Sequence, residues 1–279
     1  MPEPRPADCP RGATGAARIR AAFASTKARR RCALLPFITA GYPDLHATAR
    51  LLADLPAAGA DLIEVGFPFS DPIADGPVIA ESMHRALLTG VTPDAIFACV
   101  RAAQPSVPVL AMVSHSIVHR IGAARFIKGA VAAGFAGFIV PDADPTDASE
   151  LSRVAADHGA GFCGLVSPSS RAERVRDIAS ISTGFVYLLA RTGVTGVSAD
   201  APDIASRTQE IRALTAAPIA AGFGISTAEH VAVVGRAADG AIVGSAIVRA
   251  MTQAIEKNES AVDAALSLVR QLAPASAGS

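Results

Sequence analysis

The sequence predicts a single-domain α/β protein of the (β/α)₈ TIM-barrel class, and three observations carry that prediction. Eight short apolar runs alternate with segments of helical length. Their hydrophobicity is continuous rather than alternating, as expected of strands buried on both faces in a parallel sheet covered by helices. Glycines stand just before several of the runs, and Gly134, Gly159 and Gly184 lie 25 positions apart. Glycine tolerates the left-handed conformation that ends a helix, so this echo predicts helix, stop and strand as the repeated unit.

The eight predicted strands are Leu34 to Ile38, Leu62 to Val65, Val107 to Met112, Gly137 to Val140, Phe162 to Val166, Phe185 to Leu189, Pro218 to Ala221 and Ala241 to Val243. An open doubly wound sheet would also use such units, but no GxGxxG follows the first run and the chain does not divide into halves. A chain of 279 residues, 51% of them hydrophobic, suits one closed barrel, which takes roughly 250 residues. The barrel is expected over residues 16–273. Residues 1–15 and 274–279, rich in Pro, Ala, Gly and Ser, are expected to be disordered.

Lys and Arg number 25 and Asp and Glu 25, so no net field favours nucleic acid or an anionic membrane, and a small-molecule partner is expected. The Arg29-Arg30-Arg31 cluster is expected to be a solvated face. Cys9, Cys32, Cys99 and Cys163 are scattered without a CxxC pair, which suits a reducing cytoplasm. The N-terminus lacks the apolar core of a signal peptide. Weakly polar runs such as Gly129 to Pro141 are too short to span a bilayer.

Glu64 is an ionisable residue inside an otherwise apolar strand. With period two, Leu62, Glu64 and Gly66 share one face and Ile63 and Val65 the other, so Glu64 is expected to point into the barrel near its C-terminal mouth. Desolvation there favours the protonated form, which a general acid needs. The alternative is a structural ion pair, although the neighbouring strands carry no basic residue. The Pro/Asp/Gly-rich stretch from Phe67 to Gly76 is long for a βα loop and holds Asp71 and Asp75, each of which could also be a simple turn residue.

Three small-residue turns follow the last strands: Arg191 to Gly196, Gly222 to Ser226, and Gly244-Ser245-Ala246. Glycine lets backbone N–H groups approach an anion, and helix N-termini add partial positive charge, so together these turns predict a phosphate site. Taken singly, each is explained as a tight βα turn. A Schiff-base mechanism needs a desolvated lysine, whereas Lys27, Lys128 and Lys257 all fall outside the predicted strands. His115 and His119 are one helical turn apart, but no third ligand is evident, and they are expected to be exposed. Carboxylate acid/base chemistry on a phosphorylated substrate is the remaining class.

The segments Pro36 to Pro43, Ile63 to Pro77, Tyr187 to Gly196, Gly222 to Ser226 and Gly244 to Val248 closely resemble the tryptophan synthase α-subunit family. The resemblance implies a lyase cleaving indole-3-glycerol phosphate to indole and glyceraldehyde 3-phosphate, with Glu64 and Asp75 as the catalytic carboxylates. It further implies an indole pocket of Phe37, Tyr187, Thr195 and Phe223, and a phosphate site of Gly196, Gly224, Gly244 and Ser245. No metal and no cofactor in this chain are implied, pyridoxal phosphate belonging to a β-subunit partner in a heterotetramer. The chain departs from the family after strand three, where Ser114 and Ser116 stand at the usual Tyr and Asn, and after strand four, where Asp142-Ala143-Asp144-Pro145 replaces Asp-Leu-Pro-Pro. In the family those segments line the pocket and contact the β subunit, so Ser116 and Asp144 bear on partner binding. A stand-alone lyase of secondary metabolism, a non-catalytic regulatory subunit and an isomerase of sugar phosphates are the alternatives.

Overall fold

The computed structural model describes residues 13–72, 76–189, 204–222 and 224–273. Helix α1 (Gly15–Ala28) precedes β1 (Ala33–Thr39), and α2 (Leu45–Ala58) precedes β2 (Ile63–Gly66). Helices α3 (Pro77–Leu88) and α4 (Pro93–Ala103) lead to β3 (Val109–Met112), and α5 (His115–Ile121) and α6 (Ala123–Ala133) lead to β4 (Phe135–Ile139). Helix α7 (Pro145–Asp157) is followed by two short strands, β5 (Gly161–Phe162) and β6 (Leu165–Val166). Then come α8 (Ala172–Ile181) with β7 (Val186–Leu189), α9 (Ile204–Arg212) with β8 (Ile219–Gly222), and α10 (Ala228–Gly235) with β9 (Gly240–Val243). Helices α11 (Ser245–Glu256) and α12 (Ala261–Leu272) follow. Of the segments 1–15 and 274–279 expected to be disordered, 1–12 and 274–279 lie outside the described residues, while Thr14 caps α1 and Gly15 begins it.

All strand pairs are parallel, in the order β5-β4-β3-β2-β1-β9-β8-β7-β6. The predicted fifth strand is thus divided, one half pairing with β4 and the other with β7. Backbone hydrogen bonds explain the division. Cys163 N–H donates to Phe138 O at 2.9 Å on the β4 side, and Tyr187 N–H donates to Gly164 O at 2.9 Å on the β7 side. Gly164 N–H turns out of the ladder to Ser182 Oγ at 3.1 Å. Residues 163 and 164 therefore hand the ladder from one side of the ring to the other, and the sheet closes as a (β/α)₈ barrel.

The glycine echo is only partly a helix-stop signal. Gly59 and Gly134 end α2 and α6 in the left-handed conformation, at φ 110° and 111°. Gly184 is not in that conformation and serves a different purpose. A side chain on it would meet Cys163 Sγ at 2.6 Å, so its lack of a Cβ makes room inside the ring.

Helix α1 closes the N-terminal end of the barrel. Thr14 caps it, Ala16 N–H donates to Gly159 O, and Arg20 Nη1 donates to Thr183 O at 2.9 Å. Ile19, fully buried, drives its Cδ1 between Gly137 and Gly161, where added Cβ atoms would lie 2.7 and 2.8 Å away. The rim around this plug is held by two matching charged clamps. Asp61, just before β2, accepts Leu34 N–H at 2.9 Å and both Arg31 guanidinium nitrogens. Asp239, just before β9, accepts Ile219 N–H at 2.9 Å and Arg212 Nη2 at 2.9 Å. Each carboxylate satisfies a strand-end donor outside the regular ladder, and losing such a partner from a shielded site costs about 1 to 3 kcal/mol.

Among the described residues no single helix is long and apolar enough to cross a membrane. Cys32 and Cys163 are buried free thiols. Burial pushes the Cys32 thiol up to about 12, with Asp61 and Asp239 adding to the effect, and burial likewise raises Cys163. A raised thiol keeps its proton in the folded state after the unfolded chain, with a thiol near pH 8.5, has begun to lose it. The unfolded state then binds fewer protons, so stability is full below about pH 8.5 and falls as pH rises toward 12. Urea titrations from pH 7 to 10 should show this decline. Cys32→Ala should flatten it, and Ellman's reagent should leave both thiols unmodified at pH 8 until the chain unfolds.

Candidate active site

The mouth at the C-terminal ends of the strands is built on β1 and β2. Phe37 lies opposite Glu64, which lies opposite Leu110 on β3, so the three stand at one level of the ring. Glu64 is fully buried and Phe37 is 4% exposed. The expectation that Glu64 occupies the inward face of β2 follows from this register and from Gly66, whose inward position is covered by the Phe37 ring. A Cβ there would lie 2.6 Å from Phe37 Cε2. At its other end the Phe37 ring passes Gly244, with Cδ1 3.6 Å from where a Cβ would stand. One aromatic side chain thereby forms a shelf from the end of β2 to the turn after β9.

Tyr187, on β7, occupies the opposite wall, and its hydroxyl lies 2.8 Å from the position of a Cβ on Gly222. Gly224 follows β8 with φ +57°, a conformation that suits glycine. Gly244 and Ser245 open α11, which has no side-chain cap. By contrast, Thr14, Asp44, Thr92, Ser114, Asp144, Thr227 and Ser260 each accept an N–H at the start of their own helix. The uncapped first turn of α11 offers N–H groups and the positive end of a helix dipole at the mouth, the combination that holds a phosphate. Asp75, Thr195, Gly196 and Phe223 lie outside the described residues.

Lys27 lies in α1, Lys128 in α6, and Lys257 at the C-cap of α11. No lysine reaches the ring interior, and no amine is available there for a Schiff base. Among the described residues no group of three or more His, Cys, Asp or Glu is placed to hold a metal ion.

A pocket of about 310 Å³ lies on the β2, β3 and β4 side of the mouth, where the segments after the third and fourth strands were expected to line it. Phe67, Phe69, Met83 and Met112 supply apolar walls, and Ser114, Ser116 and Asp142 supply the polar edge. Asp71, which could have been a simple turn residue, lines this pocket. The Asp142 carboxylate joins two loops, accepting Ser114 Oγ–H at 2.6 Å and His115 N–H at 2.8 Å. His115 was expected at the surface, yet its side chain is only 25% exposed because Nδ1 sits 3.4 Å from Asp147 Oδ2 on α7. The only sequence signal for this network was a serine opening a helix next to an Asp-rich turn.

The sequence profile of the tryptophan synthase alpha chain matches residues 23–277. The chain belongs to the tryptophan synthase alpha chain family. The alpha chain of Gloeobacter violaceus is 42% identical over 241 residues, covering 85% of this chain and 87% of its own. That of Geotalea daltonii is 41% identical over 239 residues, covering 85% and 90%. Among solved structures, the alpha chain from Legionella pneumophila superposes with a TM-score of 0.83 at 33% identity, covering 92% of this chain and 96% of its own. A chain of tryptophan synthase from M. tuberculosis in its aminoacrylate-bound form gives 0.82 at 32%, covering 92% and 98%. The two solved structures share the barrel, and the family match over residues 23–277 spans the strand ends that form the mouth.

Because Phe37 fills the space above Gly66, a methyl group at that glycine must displace the ring. Gly66→Ala in this alpha chain should therefore lower kcat/KM for indole-3-glycerol phosphate by roughly tenfold or more, as a small misplacement at a reacting centre does. Overpacking should cost about 1 to 3 kcal/mol of stability. Steady-state kinetics beside a urea titration will separate the two effects. Unchanged kcat/KM would mean that Phe37 does not bound the substrate.

Proposed function

We propose that this tryptophan synthase α-type lyase cleaves indole-3-glycerol phosphate using Glu64 and Asp75 as its acid/base pair. The observation that carries the proposal is a fully buried carboxyl on β2, level with an aromatic shelf and across the mouth from an uncapped helix N-terminus. Burial opposes ionisation of a carboxyl, so Glu64 is suited to deliver a proton. In the proposed sequence Glu64 protonates indole C3, and the Asp75 carboxylate accepts the hydrogen bond of the ring N–H and stabilises the proton there. The Glu64 carboxylate then accepts the proton of the substrate hydroxyl as the C3 to side-chain bond breaks. The bonding pair returns to the ring to restore indole, the hydroxyl carbon becomes the aldehyde of glyceraldehyde 3-phosphate, and Glu64 ends protonated as it began. The protonated ring is the electron sink, so the sequence of steps calls on no cofactor in this chain. Each positioned proton transfer contributes on the order of 10² to 10⁴ in rate.

Phe37, Tyr187, Thr195 and Phe223 are proposed to hold the indole, and Gly196, Gly224, Gly244 and Ser245 the phosphate. We place the protein in the cytoplasm, in keeping with its free cysteines. A β subunit bearing pyridoxal phosphate is the proposed partner, in a heterotetramer. Its docking would involve the loops that carry Ser116 and Asp144.

Glu64→Gln and Asp75→Asn should each reduce indole release by at least about 10²-fold while leaving the thermal transition of the barrel in place. Indole-3-glycerol phosphate turnover and circular dichroism check this. Turnover within twofold of wild type in Glu64→Gln would sink the mechanism. The same assay with an added β subunit tests the partner, stimulation being the expected result and indifference arguing for a stand-alone lyase.

A further inference from the structure

The pocket between the loops after β2, β3 and β4 lies at the opposite end of the Phe37 shelf from the proposed phosphate turn. Phe37 Cδ1 approaches Gly244, and its ring edge covers Gly66. Met83 Cε comes within 3.5 Å of the same Gly66 position and lines the pocket, as does Met112, which pairs with Gly66 in the sheet. A substrate whose phosphate sits at Gly244 and whose reacting carbon sits over Glu64 therefore points its aromatic end at this pocket. The walls there are mainly apolar, the polar groups Asp71, Ser114, Ser116 and Asp142 stand among the lining residues, and Ser114 and Asp142 are already bonded to each other. Such a space rewards an apolar group and offers little to a polar one.

Resting on the proposed indole-3-glycerol phosphate lyase activity, we infer that this pocket admits apolar substituents, such as methyl or halogen, on the benzo ring of the substrate. Ser114 and Ser116 set the room available. Both are small, where the family pattern has Tyr and Asn, and both border the pocket. The two serines are specificity-determining residues, and they leave the acid/base steps at Glu64 untouched. The loop carrying them does not depend on a larger side chain for its shape, because Asp142 holds Ser114 and the His115 N–H in place.

The test compares indole-3-glycerol phosphate with its four benzo-ring monomethyl derivatives. In the wild type at least one derivative should keep kcat/KM within tenfold of the parent. Ser114→Tyr should lower the ratio of methylated to parent kcat/KM for that derivative by about tenfold or more, the range in which pockets discriminate one methyl-sized group. Ser116→Asn, which alters only the pocket edge, should lower the same ratio by a smaller factor and decides the matter if Ser114→Tyr does not fold. Loss of more than tenfold for all four derivatives in the wild type, or ratios unchanged in the folded variants, would overturn the inference. Calorimetric binding of indole-3-propanol phosphate and its methylated forms reads the same ratio without turnover. A chain that binds both forms but cleaves neither parent nor derivative would thus remove the proposed activity while leaving the pocket assignment standing.

Discussion

The inside of a closed ring of strands has fixed volume, and here it is filled by setting large side chains on glycines. At the N-terminal end Ile19 occupies the space over Gly137 and Gly161, and Phe23 with Leu35 occupies that over Gly240. At the C-terminal end Phe37 covers Gly66 and Gly244, and Tyr187 covers Gly222. Close packing of this kind leaves no slack at Gly66, Gly137, Gly161, Gly222 and Gly240, where an added methyl must displace a neighbouring side chain or backbone. The same complementarity therefore performs two tasks. At one end it seals the barrel, and at the other it fixes the two aromatic side chains proposed to hold the substrate.

The distribution of charge follows the same division. The lower rim carries acids that are neutralised on the spot, Asp61 by Arg31 and Asp239 by Arg212, and each also binds a neighbouring strand's N–H. Glu64 differs in being fully buried at the level of Phe37, toward the mouth of an otherwise apolar interior. Burial disfavours the charged form of a carboxyl, the property on which the proposed proton transfer from Glu64 rests.

Much of this was legible because strands buried on both faces must be continuously apolar, which makes an intruding glutamate conspicuous. Seven of the eight expected strands formed as single strands. The fifth divided because Gly164 surrendered its N–H to Ser182, a side chain 18 positions away that no periodicity signals. Gly184 shows the opposite limit. Its spacing from Gly134 and Gly159 suggested a helix stop, while its actual constraint is the sulfur of Cys163, a contact made only when the ring closes. The part Met83 plays in the mouth pocket was invisible for a similar reason, since it joins Met112 and Asp142 from a separate βα unit.

The two loops after β3 and β4 are held by bonds that the chain supplies itself. Ser114 caps α5 and Asp144 caps α7, accepting Ser116 N–H at 3.2 Å and Asp147 N–H at 2.8 Å respectively. A good N-cap contributes about 1 kcal/mol. Asp142 then ties the two capped loops together through Ser114 and His115. This side of the mouth consequently holds its shape with bonds internal to the chain and separate from the β1 and β2 framework that positions Glu64. Variation in these loops can reshape the room beside the substrate and the surface offered to a partner, while the carboxyl and its aromatic shelf stay in register.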